Sequence, residues 1–168
     1  MNFLRRLISS FVPAAILLVP LAASAQTILH APEASKLLPD SVYYAGKSAN
    51  AQLRNSAGIR YSDNHYVFAV LVDTSGYSTS IQEKYQGYLL TETSIEIDGK
   101  SLPAGAYGMG FVSERFVVTD IGGHEILQAR ASHDEDMQHP MPLQILQGPS
   151  PDHYRLCLGR SCVILRRP

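Results

Sequence analysis

The protein holds two cysteines, Cys157 and Cys162, in the stretch LCLGRSCVIL near its C-terminal end. Two thiols at this separation can form a disulfide, contribute to a metal or redox centre, or remain as buried thiols. A zinc site needs a second ligand pair, which the neighbouring sequence lacks, and a redox centre calls for C-x-x-C at a helix start. A second group of reactive side chains lies in ASHDEDMQHPMP, residues 131–142, where His133, Asp134, Glu135, Asp136 and His139 are ligand types for zinc or calcium. The cluster lacks the alternating oxygen ligands and bend glycine of a calcium loop, and His124-Glu125 does not extend to H-E-x-x-H. Neither supports a metal site, and a run of charge of this kind is read as a solvated loop. Ser, His and Asp are all present, but G-x-S-x-G is not. The glycines at 105, 108 and 110 are spaced G-x-x-G-x-G, which is not the dinucleotide fingerprint. No cofactor is implied.

One stretch carries a resemblance to an enzyme family. AVLVDTSGYS, residues 69–78, is an apolar strand running into Asp-Thr-Ser-Gly and resembles the active-site strand of retropepsin-like aspartic proteases. That resemblance implies Asp73 as one half-site of a homodimer in which two carboxylates share a proton. The family places Gly directly after Asp-Thr or Asp-Ser, whereas here Ser75 intervenes before Gly76. The family's later apolar-apolar-Gly element would fall on Leu158-Gly159, a glycine that the cysteine hairpin also claims. The structural alternative for Asp73 to Gly76 is an Asx turn closing a strand.

A broader resemblance lies in IEIDGKSLPAGAYGMGFV, residues 95–112. With Gly99, Leu102, Pro103, Ala104, Gly105 and Tyr107 it resembles uncharacterised secreted bacterial β-domains carrying a G-x-x-L-P-A-G-x-Y element. LRNSAG (53–58), VDTSGYS (72–78) and VTDIGG (118–123) extend the similarity over most of residues 40–165. It implies export and a β-domain and supplies no activity.

These residues must be positioned by β-structure. MNFLRR followed by an apolar run and Ala23-Ser24-Ala25 reads as a secretory signal peptide cut before Gln26, giving a secreted or periplasmic protein. The alternative, an uncleaved anchor, is opposed by Pro13, Pro20 and the Ala-Ser-Ala ending. Membrane association is then confined to the leader before cleavage. Formal net charge is −1, and losing Arg5 and Arg6 makes the protein more acidic. With the other basic residues scattered, nucleic acid is not a partner.

The sequence divides into a leader (1–25), an extension with room for a short helix over 32–38 (26–41), and a β-domain (42–168). Strand-like runs fall near 42–46, 50–54, 58–62, 65–72, 84–91, 94–97, 105–112, 114–120, 124–130, 141–147, 153–158 and 161–166. Asn55-Ser56, Asp63-Asn64, Asp98-Gly99 and Gly122-Gly123 punctuate them as hairpin breaks. The fold class is all-β and antiparallel, either a single sandwich or a small barrel. Residues 65–73 are apolar on both faces, as in a strand covered on both sides.

Gly159-Arg160 suits a two-residue type II′ turn, pairing Leu158 with Ser161 and Cys157 with Cys162. The cysteines then occupy a non-hydrogen-bonded pair close enough for a disulfide, which export favours. Alternation sends Tyr154, Leu156, Leu158, Val163 and Leu165 to the core and the cysteines to the outer face, partly exposed. The functional expectation is an exported binding or accessory module of the cell envelope, with a small apolar ligand or an envelope protein as partner. The ligand would sit in a barrel mouth or inter-sheet cleft lined by Tyr107, Met109 and Phe111, with Tyr85 and Tyr88 nearby.

Overall fold

A computed structural model describes residues 26–168, and the signal peptide assigned to 1–25 lies outside them. The described residues fold as two antiparallel sheets packed face to face, a β-sandwich and not a closed barrel. The large sheet runs in the order β1 (Thr27–Leu29), β3 (Lys47–Arg60), β4 (Tyr66–Val72), β5 (Gly87–Thr91), β8 (Gly105–Val112), β9 (Arg115–Thr119), β10 (Glu125–Arg130). β2 (Ser41–Tyr44) joins it by pairing with β3. The small sheet runs β12 (Gln144–Gln147), β13 (His153–Leu158), β14 (Ser161–Arg166), β6 (Ile95–Ile97), β7 (Lys100–Leu102), and β11 (Ser132–His133) adds to β14. Two short helices, α1 (Ala31–Ala34) and α2 (Thr79–Lys84), complete the described elements.

Strand alternation explains the inter-sheet core. Ile59, Val67, Leu89, Met109, Phe116 and Val118 point from the large sheet onto Ile97, Ile145, Tyr154, Leu156, Val163 and Leu165 of the small one, all buried. Each fully buried aliphatic side chain contributes about 1.5–3 kcal/mol by leaving water, so this layer dominates stability. The opposite face of the large sheet is also covered. Phe68, Val70, Val72 and Tyr88 are buried there beneath α1, β2 and the segment leading from Tyr77 to Tyr85. This is why 65–73 reads as apolar on both faces.

Several boundaries differ from the sequence expectation. The runs 50–54 and 58–62 form one strand, because the pairing jumps from Gln52↔Leu71 to Ser56↔Val70 and absorbs Asn55 in an irregularity instead of a hairpin. The Asn55 side-chain amide donates to Gln52 Oε1 at 2.9 Å, and the Ser56 hydroxyl donates to Leu53 O at 2.6 Å, which satisfies one backbone carbonyl at the irregularity. The strand expected over 84–91 begins only at Gly87, after α2. The helix of the extension is shorter than 32–38 and starts one residue earlier, with Pro32 in its first turn. The extension is also not separate from the β-domain, since β1 pairs with the end of β3 through Thr27↔Arg60 to Leu29↔Gly58. β1, β7 and β11 are too short to show a period of their own.

The β6–β7 hairpin closes one side of the sandwich. Asp98 and Gly99, at φ 49° and 76°, make its two-residue turn. Lys100 Nζ donates to Gln128 O at 2.5 Å, and Arg130 N donates to Asp98 Oδ2 at 3.3 Å. Both bonds occupy backbone groups on the edge strand β10, which blunts that edge against strand addition.

Candidate functional site

The terminal hairpin forms in the expected register, with Leu158↔Ser161 and Cys157↔Cys162 paired around Gly159 at φ 56°. The two cysteines are disulfide-bonded across a Cα separation of 4.1 Å. Their burial differs from expectation: both are 0% exposed, not partly exposed on an outer face. The cover comes from 131–142, the segment read as a solvated loop. Its start pairs as β11 with β14, placing Ser132 opposite Cys162. Asp134 N then donates to Arg160 O at 2.9 Å, and Gly159 N donates to Met141 O at 3.0 Å. Arg155, on the same face as Cys157, binds the Asp134 carboxylate at 2.6 Å, while Arg160 donates to the Asp134 and Glu135 carbonyls. The Arg155 guanidinium holds the Asp134 carboxyl below its ordinary range. The acidic cluster thus serves as an anchor for a strap over the disulfide, and most of its other side chains face solvent.

No group of three or more His, Cys, Asp or Glu side chains is gathered for a metal among the described residues. His124 is bonded instead to Asp120, through its backbone N–H at 2.9 Å and Nδ1 at 3.0 Å, and these bonds depress the Asp120 pKa. Asp73 is exposed at the end of β4, and its Oδ1 accepts the Ser75 N–H at 3.0 Å. That bond lowers the carboxyl pKa and closes an Asx turn, which accounts for Asp-Thr-Ser-Gly structurally. A catalytic pair would need a second carboxylate from another protomer.

The five aromatic and Met residues expected to line a ligand cavity are divided between two sides of the large sheet. Tyr107, Met109 and Phe111 alternate along β8 toward the inter-sheet core, where Met109 is fully buried and Phe111 packs on Phe116 at 4.9 Å. Tyr85 and Tyr88 lie on the opposite side, buried in the second core. Tyr107 has a local role: its hydroxyl reaches back to Pro103 O at 3.0 Å, and its ring covers Gly105, where a Cβ would come within 2.7 Å of the hydroxyl oxygen. The Pro-Ala-Gly-x-Tyr element is therefore a strand entry locked by its own tyrosine. The glycines that follow are small for a similar reason. A Cβ on Gly108 would meet Tyr44 and Thr119 at 2.5 Å, and one on Gly110 would meet Lys84 O at 2.5 Å.

Concave surface lies elsewhere among the described residues. A cleft of about 650 Å³ opens where the β8–β9 turn, the end of β10, β11 and β14 meet, lined by Asp98, Ser113, Glu114, Arg130, His133 and residues 161–164. A smaller hollow of about 360 Å³ adjoins it and shares Glu114 and Arg130. Glu114, Arg130 and His133 make no side-chain hydrogen bond or ion pair among the described residues, unlike the paired Asp134 and Asp120. Ser113 starts the two-residue β8–β9 turn at φ 56°, a left-handed conformation that ordinarily selects glycine. None of the five ligand-lining residues expected from sequence borders this cleft. Its members come from four separated stretches of sequence, and the only local signal was His133 beside an acidic run. No family model, curated protein or solved structure matches this protein.

Proposed function

We propose that this protein is an exported binding module of the cell envelope, and that it recognises its ligand at the charged cleft around Glu114, Arg130 and His133. The observation that carries the reading is that side chains of both charge signs converge on one open cleft without partners among the described residues. Asp134, Asp120 and Asp73, by contrast, are committed to a strap and to turns. A ligand that complements both signs carries an amine and a carboxylate, as a short unblocked peptide does. Arg130 would receive the carboxylate in a charge-assisted bond, and Glu114 with Asp98 the amine. Export is supported by the leader pattern and by a buried disulfide, which forms in oxidising compartments. The packed inter-sheet core favours a surface site over an interior carrier cavity for an apolar molecule.

Titration of isotope-labelled protein with an unblocked alanine tripeptide, followed by NMR, tests this. Amide shifts should concentrate at Asp98, Ser113, Glu114, Arg130 to His133 and Ser161 to Ile164. Blocking both peptide termini, or substituting Arg130→Ala, should each weaken binding about tenfold, equivalent to about 1.4 kcal/mol. Shifts that are absent, or equal for blocked and unblocked peptides, would overturn the proposal.

A further inference from the structure

A second cleft of about 650 Å³ is bounded by Gln26, Ser62, Gly148, Asp152 and Tyr154. Gln26 sits immediately before β1, so pairing of Thr27 with Arg60 fixes its position at the edge of the large sheet. Its amide oxygen Oε1 accepts a hydrogen bond from the Tyr154 hydroxyl. The Tyr154 ring is itself held in the core, 2% exposed, and packs edge-on against Tyr61. The facing loop is equally fixed, because the Gln147 amide donates to Ser150 O, Pro151 O and His153 O, and Gly148 N donates to His153 O at 2.8 Å. A glutamine amide is thus held by an oriented donor at the residue that signal-peptide cleavage would make the first of the mature protein.

We propose that Gln26, once exposed as the N-terminal residue, cyclises to pyroglutamate, with Tyr154 as the positioning residue that holds and polarises the amide Cδ=Oε1 group. The lone pair of the Gln26 α-amine attacks Cδ, forming the lactam C–N bond. The Cδ–Nε2 bond then breaks, and Nε2 leaves as ammonia with the proton given up by the amine. No oxidant or co-reactant is required. The negative charge that develops on Oε1 is met by the Tyr154 hydroxyl, a donor already in place. The α-amine has an ordinary pKa of about 7.7–8.0, so its reactive free base is available at neutral pH. The product replaces a terminal ammonium by an uncharged ring beside Tyr154 and the fixed 148–152 loop.

This inference rests on the export reading, and its failure can be told apart from failure of that reading. Intact-mass and N-terminal peptide analysis of the full precursor, expressed with export, should show a protein beginning at Gln26 and lacking the mass of one ammonia. Conversion should be faster in the native protein than in the same polypeptide held in urea. Tyr154→Phe should slow it about tenfold, the worth of one hydrogen bond to the transition state. A protein that begins at an intact, stable Gln26 would overturn cyclisation and leave export standing. A different first residue would likewise overturn cyclisation and leave export standing, whereas a retained leader would overturn both cyclisation and the cleaved-leader reading. Equal rates in native protein, urea and the Tyr154→Phe variant would remove the structural assistance and with it the proposal.

Discussion

The two faces of the large sheet are buried by different chemistry. The inner face meets the small sheet through aliphatic side chains and a few aromatics, whose attraction is non-directional and scales with area. The outer face is covered by tyrosines: Tyr44 stacks on Tyr85 at 3.7 Å, and Tyr77 meets both edge-on at 6.0 and 5.4 Å. Each of these rings brings a hydroxyl into a dry layer, where it needs a partner. Tyr44 finds the Thr119 hydroxyl at 2.7 Å, and Tyr77 donates to the carbonyls of Tyr44 and Lys47 at 3.0 and 3.1 Å. The Tyr85 hydroxyl is buried without a partner among the described residues. The inner layer therefore depends on volume, while the outer layer depends on volume, close backbone approach and hydrogen-bond matching together.

The largest effect expected is on the inner layer. Leu156→Ala removes a fully buried side chain between the sheets and should destabilise the fold by about 3 kcal/mol, read as a lowered denaturant midpoint at unchanged slope. A loss below about 1 kcal/mol would mean that the layer collapses around the gap, and the contrast between the faces would weaken.

The outer layer should fail through crowding before it fails through cavities. Gly110→Ala places a methyl against Lys84 O, a backbone atom at the end of α2 that cannot swing aside. We expect a cost of about 2 kcal/mol and altered amide shifts in α2, since overpacking forces the backbone to move. Tolerance without such shifts would show that α2 is held less closely than its position over β8 indicates.

The smallest effects separate the tyrosines from one another. Tyr44→Phe leaves the Thr119 hydroxyl buried and unpaired, at a cost of about 1–2 kcal/mol, whereas Tyr85→Phe deletes an unpaired hydroxyl and should be neutral or stabilising by up to about 1 kcal/mol. Alkaline unfolding sharpens the pair. Burial raises the Tyr85 pKa above its ordinary value of 10.0, so the folded state favours the neutral phenol. Its contribution is complete below pH 10 and is lost as pH rises toward the raised value. Tyr85→Phe should flatten that loss of stability. A residual loss should persist from Tyr61, whose pKa burial pushes up to about 12. An alkaline limb identical to the parent's would show that Tyr85 is solvated as the folded state loosens.

The legible parts of the fold are those that short segments specify alone. The turn at Gly159-Arg160, the pairing of Cys157 with Cys162 and the inward set Tyr154, Leu156, Val163 and Leu165 follow from a two-residue turn and a period of two, and all are present. The break at Asp98-Gly99 is likewise a hairpin. Asn55-Ser56 carried the same turn chemistry, yet β3 continues through it because β4 pairs on both sides of the irregularity. The cleft was almost illegible. Glu114, Arg130 and His133 lie on different elements, and nothing local distinguishes a charged side chain facing an open cleft from one facing bulk water.

Local sequence was enough to specify an antiparallel β-fold, the register of its last hairpin and the proximity of its two thiols, because each depends on turn chemistry and alternation over a few residues. Tertiary packing determined which of those residues are dry. The disulfide is buried because residues 131–142 return across it, anchored by Asp134 on Arg155. Tyr44 and Thr119, separated by 75 positions, share a hydrogen bond because Gly108 leaves room for the ring. Burial is set by what a distant segment lays on top, and no local pattern encodes that.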